Sequence, residues 1–313
     1  MVESTQVKNV QELLHEFYSL KKPCQSYAIP FSNVGEKDVY NITAPFLDRG
    51  EYVIAGRVED RDNEDSSVVF FVERSDVWVP REGERIFASL QDPFITFIHG
   101  ELIFGGVEIW PSFGNRDALE YRTVFYRGAH VADLRLFAVG PQSMKDIRLV
   151  ELEDHQIGVF TRPKGDLYGG PAKIGFSIIS SLDELTPRLI IEAEILPNLF
   201  QPDEWAGVNE LHLLGNGKIG VLGHIAYFSE DGMRHYYAMA FVFDYQRREI
   251  SPIKIIAARD CVDTAVQAKR SDLQDILFAG GLVLRDDGQA DLYTGVNDCE
   301  AYVINLPDPF SRR

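Results

Sequence analysis

The sequence predicts an all-β fold, a five-bladed β-propeller with an N-terminal amphipathic helix. A polar or glycine-bearing turn precedes a run rich in β-branched and aromatic residues five times, whereas helical periodicity occurs in one stretch only. Asn-Gly and Asp-Gly pairs favour two-residue hairpins, because both central positions of a type I′ turn need positive φ. The turns and following runs are 48–50 before YVIAGRVE, 99–100 before ELIFGGVEI, 153–155 before QIGVFTRP, 215–217 before KIGVLGHIA and 286–288 before QADLYTGVND.

The spacing of these turns indicates the number of repeated units. It runs from about 50 to about 71 residues, and a four-stranded propeller blade takes roughly 40 to 50. Five blades with loops of variable length would use residues 1–313 as a single domain, and no Pro/Ser-rich linker divides the chain. A TIM barrel would need eight helices between its strands. Two β-sandwiches are the remaining alternative.

The one helical stretch covers residues 7–21. Its apolar positions lie three or four residues apart, and Lys21-Lys22 followed by Pro23 predict its end. We expect residues 1–23 to pack on the outside of the propeller or to close one face, with a partner-binding helix as the alternative. The apolar positions are Val7, Val10, Leu13, Leu14, Phe17 and Leu20.

Charge and cysteine content exclude several classes of partner. Lys and Arg number 31 against 48 Asp and Glu, a formal net charge of −17. Because nucleic acid and anionic membranes attract positive surfaces, we expect this acidic chain to bind neither. Cys24, Cys261 and Cys299 fit neither a disulfide framework nor a CxxC metal pair. With no secretory signal and no apolar run of about 18 residues, we expect a cytoplasmic protein that binds no membrane.

The histidines and serines show no familiar catalytic motif. The seven histidines include no HExxH or HxxxH pair, and His212 and His224 lie twelve residues apart. No GxSxG nucleophile elbow occurs either. We therefore expect neither a metal ion nor another cofactor.

Charged or imidazole groups interrupt otherwise apolar runs in several repeated units. Equivalent strand positions of different blades converge on the channel of a propeller, and a buried polar group is costly unless it is paired or solvated. We expect these residues to line a shared polar cavity; for each one alone, a salt-bridged or solvent-facing strand residue is the alternative. They are Arg57, Asp92, Asp146, Arg162, Glu210, His224 and Asp298.

Asp92 has the most defined local context, within LQDPFIT at residues 90–96. A proline disfavours the helical region for the residue before it, so Pro93 predicts extended backbone at Asp92. That conformation would hold the carboxylate in one direction. An ordinary Asp-Pro turn is the alternative.

Two further segments have the composition of a sugar-phosphate site. Residues 162–176, which include Lys173, are basic and glycine-rich within an acidic protein, and freed backbone amides with Arg and Lys suit a phosphate. A plain loop is the alternative there, since the Walker spacing is missing. In residues 202–210, Trp205 accompanies carboxylates and the Asn209 amide, a combination that suits carbohydrate.

The chain resembles the mannosyltransferase/phosphorylase family of trypanosomatids and bacteria, formerly a domain of unknown function. That family is related to the β-mannoside phosphorylases of glycoside-hydrolase family 130. The resemblance implies a five-bladed propeller with the site in its central cavity. The segments that carry it are YNITAPF, AGRVE, LQDPFIT, MKDIRLVELEDHQIGVFTRPKG, GGPAKIGF, EWAGVNELHLLGNGKIGVLGHIA, HYYAMAFVFD and LFAGGLVLRDDGQADLYTGVNDCEA.

The resemblance also assigns roles to individual residues. Asp92 matches the general acid in the phosphorylases' Glu-Asp-Pro-Arg motif, and Asn41 resembles the Asn of their Asn-Pro-Ala motif. Gln91 and Phe94 replace the Glu and Arg of the first motif, so other basic residues would have to compensate for orthophosphate binding. Positions similar to those that bind sugar hydroxyls or phosphate are Arg57, Lys145, Asp146 and Arg162, while His224 resembles a histidine near the phosphate and Asp298 an acid late in the last blade, both as candidate substrate-binding residues.

The chemistry implied by the resemblance is inverting mannosyl transfer. Asp92 would protonate the departing glycosidic oxygen through a substrate hydroxyl. Arg57, Arg162 and Lys145 would hold phosphate on the opposite face, where an anionic nucleophile needs no general base. A β-1,2-linked mannooligosaccharide would yield α-mannose 1-phosphate, the reverse reaction would elongate the mannan, and GDP-mannose is implied as a further donor.

Two other functions fit the same residues. A catalytically silent propeller could bind glycans or serve as an interaction platform, because fold alone does not decide function. A β-mannosidase that uses water would need a second carboxylate as its base, and Glu210 is the nearest candidate.

Overall fold

The computed structural model describes residues 7–20, 24–165, 170–197 and 199–311, and this part of the chain is mostly β. The first three groups of antiparallel strands occupy its first two thirds. Group one contains β2 (Asp38–Tyr40), β3 (Phe46–Asp48), β4 (Glu51–Glu59), β5 (Ser67–Arg74), β6 (Val77–Pro80) and β7 (Phe87–Ala88). Group two contains β8 (Leu90–Ile98), β9 (Glu101–Ser112), β10 (Asn115–Gly128) and β11 (Arg135–Val139). Group three contains β12 (Arg148–Glu151), β13 (Ile157–Thr161), β14 (Gly175–Ile179) and β15 (Glu194–Ile195).

The last two groups share one nine-stranded sheet. They are joined by a short parallel pairing between β18 (Arg234–Asp244) and β21 (Asp275–Leu284), at His235↔Asp275 and Tyr236↔Ile276. Strand β1 comes from the start of the chain and pairs with β23 at the end of it. Group four contains β16 (Trp205–Gly215), β17 (Lys218–Phe228), β18 (Arg234–Asp244), β19 (Glu249–Ile250) and β20 (Lys254–Ala257). Group five contains β21 (Asp275–Leu284), β22 (Gln289–Val296), β23 (Glu300–Pro307) and β1 (Gln25–Ala28).

The five predicted hairpins are confirmed by the strand pairing. They connect β3 to β4, β8 to β9, β12 to β13, β16 to β17 and β21 to β22. At Asn216-Gly217 both residues have positive φ, 53° and 72°, as a type I′ turn requires. In the turn at 286–288 only Gly288 has a positive φ, of 77°. The local turn chemistry therefore located one hairpin in each group.

Two α-helices occur in the described part of the chain, α1 (Val10–Leu20) and α2 (Pro187–Ile191). Helix α1 starts later than the prediction of residues 7–21, because Asn9 caps it. Asn9 Oδ1 accepts from Glu12 N at 2.9 Å and Glu12 Oε2 accepts from Asn9 N at 2.8 Å, a reciprocal capping arrangement. The predicted end at Lys21-Lys22 and Pro23 lies outside the described residues, as do residues 1–6.

Helix α1 packs on the outer part of group four. Its buried residues Val10, Leu13 and Leu14 belong to a hydrophobic cluster with residues of β17 and β18. Glu204 fixes the helix start, since its Oε1 accepts from Val10 N at 2.6 Å. No helix in the part of the chain that the structure describes is long and apolar enough to cross a membrane.

Neighbouring groups contact one another in chain order. Strand β8 contacts β4 and β12, and β16 contacts β12 and β21. Group five lies against the segment between β2 and β3: a Cβ added at Gly280 would be 1.7 Å from the Ile42 carbonyl oxygen, so this approach requires glycine. Apolar clusters fill the space between groups; one joins Phe70 of β5 to Phe104 of β9.

Candidate active site

Asp92 lies in a β-bulge of β8, where the pairing with β9 shifts between Gln91 and Phe94. Its φ is +46°, so the predicted extended backbone was wrong. Asp tolerates the left-handed region better than most residues, and a bulge changes the direction of a side chain. The bulge buries Asp92, which is 5% exposed.

Three residues from other segments surround the Asp92 carboxylate. Asn41 Nδ2 donates to Oδ1 at 2.8 Å, and Arg57 Nη1 donates to the same oxygen at 3.3 Å. Lys145 Nζ lies 3.9 Å from Oδ2. Burial alone raises the pKa of Asp92, but Arg57, Lys145 and the Asn41 hydrogen bond outweigh burial and lower it below its usual range. The ligand-free carboxylate is therefore ionised at neutral pH.

Arg57 is held in place by a buried carboxylate that the sequence did not single out. Glu59 is 0% exposed, and its Oε2 accepts from Arg57 Nε at 3.0 Å and Nη2 at 2.7 Å. Its Oε1 accepts from Tyr40 Oη and Lys269 Nζ. Glu64 Oε2 accepts from Arg57 Nη2 at 3.0 Å. The guanidinium is thereby fixed beside Asp92.

A second cluster lies around Asp146, just before β12. Arg162 Nη1 lies 2.8 Å from Asp146 Oδ2, and Arg162 Nε donates to the Ala206 carbonyl oxygen at 2.8 Å. His224 Nε2 is 3.8 Å from the same Asp146 oxygen. His224 Nδ1 lies 2.9 Å from Asn209 Oδ1. Because that oxygen is an acceptor, Nδ1 carries the ring proton and Nε2 presents its lone pair.

Buried polar atoms of these two clusters have no hydrogen-bond partner among the described residues. They are Asn41 Oδ1, Asp146 Oδ1, Asn209 Nδ2 and His224 Nε2, whereas Asp146 Oδ2 has the ion pair with Arg162. Such atoms are rare in folded proteins, since leaving one unpaired costs about 1–3 kcal/mol. A polyhydroxylated ligand could satisfy them, because each hydroxyl group can donate to the acceptors and accept from Asn209 Nδ2.

Charges in the second cluster shift the pKa of its members. Burial raises the pKa of Asp146, but Arg162, Lys145 and His224 outweigh it and lower the value to about 2. For His224, burial lowers the pKa to about 3, against the opposing effect of Asp146. Asp146 is consequently an anion and His224 is neutral at physiological pH.

Four of the predicted site residues share an uncommon backbone conformation. Asn41, Asp92, Asp146 and Asp298 have φ of 45°, 46°, 60° and 53°. Non-glycine residues in this region cost of order 1 kcal/mol or more and concentrate at functional sites. Asp298, between β22 and β23, is electrostatically coupled to Arg57 and Asp92; burial raises its pKa. The charges of the first cluster therefore act on a carboxyl group of group five.

A cavity of about 320 Å³ opens beside Lys145 and Arg162. Its walls combine positive charge with aromatic rings, the composition that suits a phosphorylated or sugar ligand. Trp205 forms part of it, with its Nε1 donating to Tyr236 Oη at 3.1 Å. The basic and aromatic residues that line it include Lys145, Arg162, Lys164, Tyr121, Trp205 and Tyr236.

Two predicted ligand-binding residues make other contacts. Glu210 Oε2 accepts from Leu282 N at 2.6 Å and from His212 Nε2 at 3.0 Å, so it joins β16 to β21. Lys173 Nζ lies 5.1 Å from the centroid of the Phe200 ring, a cation–π contact. Ligand binding by either residue stays a prediction.

Arg148 is a further buried cation near the site. It is 3% exposed, its guanidinium carbon lies 4.1 Å from the centroid of Phe94, and its Nε donates to the Asn209 carbonyl oxygen at 2.7 Å. By the sequence resemblance, Phe94 corresponds to the arginine of the phosphorylase motif. Arg148, a cation from another strand, therefore lies beside that position. The only sequence signal for this role was a basic residue within the segment KDIR.

The arrangement can support acid catalysis opposite an anion. Asp92 is the carboxyl group of the first cluster, with Arg57 and Lys145 beside it, and Arg162 supplies positive charge beside Asp146 in the second cluster. Such preorganised charge stabilises a developing or incoming anion. Among the described residues, one set of three side chains could hold a metal ion, and it does not include the residues of this site.

Comparisons with known proteins identify relatives that match nearly the whole chain. The family model described as "Protein of unknown function (DUF1861)" matches residues 16–312. The structure of MPT-4, a mannose phosphorylase from Leishmania mexicana in complex with phosphate ion, is 37% identical with a TM-score of 0.87, covering 96% of this chain and 93% of that one. MPT-1, a GDP-Man-dependent mannosyltransferase from the same organism, is 34% identical with a TM-score of 0.87 and coverages of 97% and 95%.

A more distant structure shows similarity of fold alone. The β-1,2-mannobiose phosphorylase from Listeria innocua has a TM-score of 0.61 and 12% identity, with 92% of each chain covered. No protein with a curated description matches the chain. The family match and the two Leishmania relatives nevertheless extend over nearly the whole sequence. The chain therefore belongs to the DUF1861 family.

Proposed function

We propose that the protein is an inverting mannosyltransferase/phosphorylase that acts on β-1,2-linked mannooligosaccharides and releases or uses α-mannose 1-phosphate. The observation that carries the proposal is the buried Asp92 carboxylate, surrounded by Asn41, Arg57 and Lys145. Relatives that are a mannose phosphorylase and a GDP-Man-dependent mannosyltransferase support the same reaction class.

In the phosphorolytic direction, a phosphate oxygen attacks C1 of the terminal mannosyl group. The bond from C1 to the glycosidic oxygen breaks as the bond from C1 to phosphate forms, so the configuration inverts. Protonated Asp92 gives its proton, through a sugar hydroxyl, to the departing oxygen. The proton released from hydrogen phosphate restores the acid, so the overall reaction neither gains nor loses a proton. One carboxyl group is enough because the nucleophile is already an anion.

The basic residues can both bind phosphate and prepare the acid. Arg57 and Lys145 lower the pKa of Asp92 in the ligand-free protein. A phosphate dianion placed between Lys145 and Arg162 would offset that positive charge, which raises the pKa of a neighbouring carboxyl group. Phosphate binding would thereby favour the protonated Asp92 that the reaction needs.

We also propose that the five groups of strands are the blades of a single-domain five-bladed propeller, with the site in its central cavity. The contacts of each group with the next support this arrangement, as does the approach of the fifth group to Ile42 in the first. Strand β1, paired with β23, would join the two ends of the chain within one blade. Asn41, Asp92, Asp146, Asn209 and Asp298 would then represent five different blades.

The donor is tested by product analysis of the purified protein. With β-1,2-mannotriose and phosphate, ³¹P NMR should detect α-mannose 1-phosphate; with mannose 1-phosphate or GDP-mannose and the same acceptor, longer chains should form. Release of GDP would identify a nucleotide-dependent transferase, and phosphate release a phosphorylase. Free mannose as the sole product would indicate a hydrolase, and no turnover with any donor would contradict the proposal in favour of a glycan-binding protein.

A further inference from the structure

His99, Glu151 and His155 form a compact group at the surface, in two hairpins that belong to different strand groups. His99 lies in the turn between β8 and β9, Glu151 ends β12, and His155 lies in the turn between β12 and β13. Each side chain offers one ligand atom, and these atoms lie within 4.8 Å of one another. The histidine spacing predicted no metal site, because His99 and His155 are 56 residues apart.

The hydrogen bonds of the group orient these side chains. Glu151 Oε2 accepts from His99 N at 2.6 Å, and Glu151 Oε1 lies 2.8 Å from His155 Nδ1. His99 Nε2 lies 2.7 Å from the His155 carbonyl oxygen. Nε2 must be the donor there, which leaves the lone pair of His99 on Nδ1. A metal-binding histidine commonly donates its other ring N–H to a carbonyl oxygen in this way.

We propose that His99, Glu151 and His155 bind a divalent transition-metal ion of the Zn²⁺ class. Two imidazoles and one carboxylate are a ligand set that Zn²⁺ uses with water in its fourth position. Tetrahedral ligands about 2.0–2.2 Å from the ion are roughly 3.3 Å apart. Closing the group to that size requires small side-chain rotations, which are accessible here because the His155 side chain is 83% exposed.

The position of the site in the fold gives it a structural role. Strand β8 contains Asp92 near its start and is followed by His99; β12 follows Asp146 and ends at Glu151. Seven residues of strand at about 3.3 Å each place the ion roughly 20 Å from Asp92. A bound ion would connect the far ends of the two strands that position the two aspartates, without taking part in mannosyl transfer.

Calorimetric titration of the full chain with ZnCl₂, after chelator treatment and removal of any affinity tag, tests the site. We expect one ion per chain, with affinity reduced at least tenfold in His99→Ala and in His155→Ala. His15→Ala, which removes an exposed histidine of α1, should bind as the unaltered protein does. Absence of saturable binding, or equal affinity in His99→Ala, would overturn the proposal.

A second measurement does not depend on the folding of any variant. Crystals of the unaltered protein grown with Zn²⁺ should show an anomalous peak at the zinc absorption edge between His99, Glu151 and His155. Zn²⁺ should also raise the Tm of the unaltered protein, since a ligand that binds only the native state stabilises it. An anomalous map without a peak at these three side chains would contradict the assignment.

Discussion

Asn41 Nδ2 donates to Asp92 Oδ1 at 2.8 Å, and this hydrogen bond joins two strand groups at the centre of the site. Both residues have left-handed backbone, with φ of 45° and 46°. Apart from glycine, Asn and Asp are the residues that tolerate this conformation best. The interaction therefore depends on the residue type at both positions, and it helps to keep the ligand-free Asp92 ionised.

The first prediction concerns the pH dependence of the two reaction directions. Phosphorolysis needs protonated Asp92, whose pKa is lowered, so log(kcat/KM) should fall by about one for each pH unit above that pKa. Synthesis needs ionised Asp92 and should persist to higher pH. In Asn41→Asp a second carboxyl group raises the pKa of Asp92, moving the falling limb up by about one pH unit. Since phosphate titrates equally in both proteins, identical profiles would contradict this role of Asp92.

The second prediction concerns Glu59, which holds Arg57. Glu59→Gln leaves Arg57 and Lys269 without their shared buried carboxylate and should lower the free energy of unfolding by about 3 kcal/mol. The double variant Glu59→Gln/Lys269→Met should lose less stability than the two single variants summed, because it removes one unpaired cation. Urea unfolding of the four proteins measures this coupling. Additive losses would show that Lys269 and Glu59 do not interact.

The third prediction concerns Gly207, opposite His224 in the pairing of β16 and β17. A Cβ at this position would lie 2.4 Å from Asp146 Oδ2 and 2.6 Å from His224 Cε1. Gly207→Ala should displace both groups and reduce kcat/KM by about 100-fold. Gly158→Ala, which adds a methyl group in β13 against Phe176, controls for a general loss of stability. Equal effects of the two variants on activity would argue against a role for this cluster.

The fourth prediction concerns stability below neutral pH. The pKa of His224 is lowered from 6.5 to about 3 by burial, so between these values the unfolded chain binds a proton that the native protein does not. His224 should therefore contribute a fall in the free energy of unfolding of up to about 1.4 kcal/mol for each pH unit of acidification in that window.

Unfolding by urea at pH 7, 6 and 5 tests the contribution of His224. His224→Gln should show a shallower loss of stability with acidification than the unaltered protein, since the titrating group is gone. His15→Gln changes an exposed histidine on α1 and should keep the original slope. An unchanged slope in His224→Gln would show that another group controls this pH range.

Local sequence signals predicted the parts of the molecule that depend on neighbouring residues. The five turns have a backbone requirement that only a few residue types meet, and their strands were confirmed. Asp92 was recognised by the Asp-Pro sequence around it, yet its left-handed φ was not, because the bulge in β8 depends on the pairing with β9. The pairing of β8 with β9 thus determined the backbone conformation of Asp92, which the Asp-Pro dipeptide alone could not predict.

Contacts across long separations explain the remaining differences. Glu59 and Lys269 are 210 residues apart, and Glu210 is 72 residues from the Leu282 amide that it binds. Nothing within their own segments indicates these partners. Glu59 therefore went unrecognised as the residue that holds Arg57, and the connection that the Glu210 carboxylate makes between two strands was not foreseen.

The central claim is that Asp92 is the general acid, and Asp92→Asn tests it most directly when two leaving groups are compared. The variant should lose at least about 100-fold in phosphorolysis of β-1,2-mannotriose but retain most activity on 4-nitrophenyl β-mannoside, whose leaving group needs no proton. Asp263→Asn, at an exposed position, should match the unaltered protein on both. If Asp92→Asn kept full phosphorolysis of mannotriose, or lost both substrates equally, Asp92 would not be the acid.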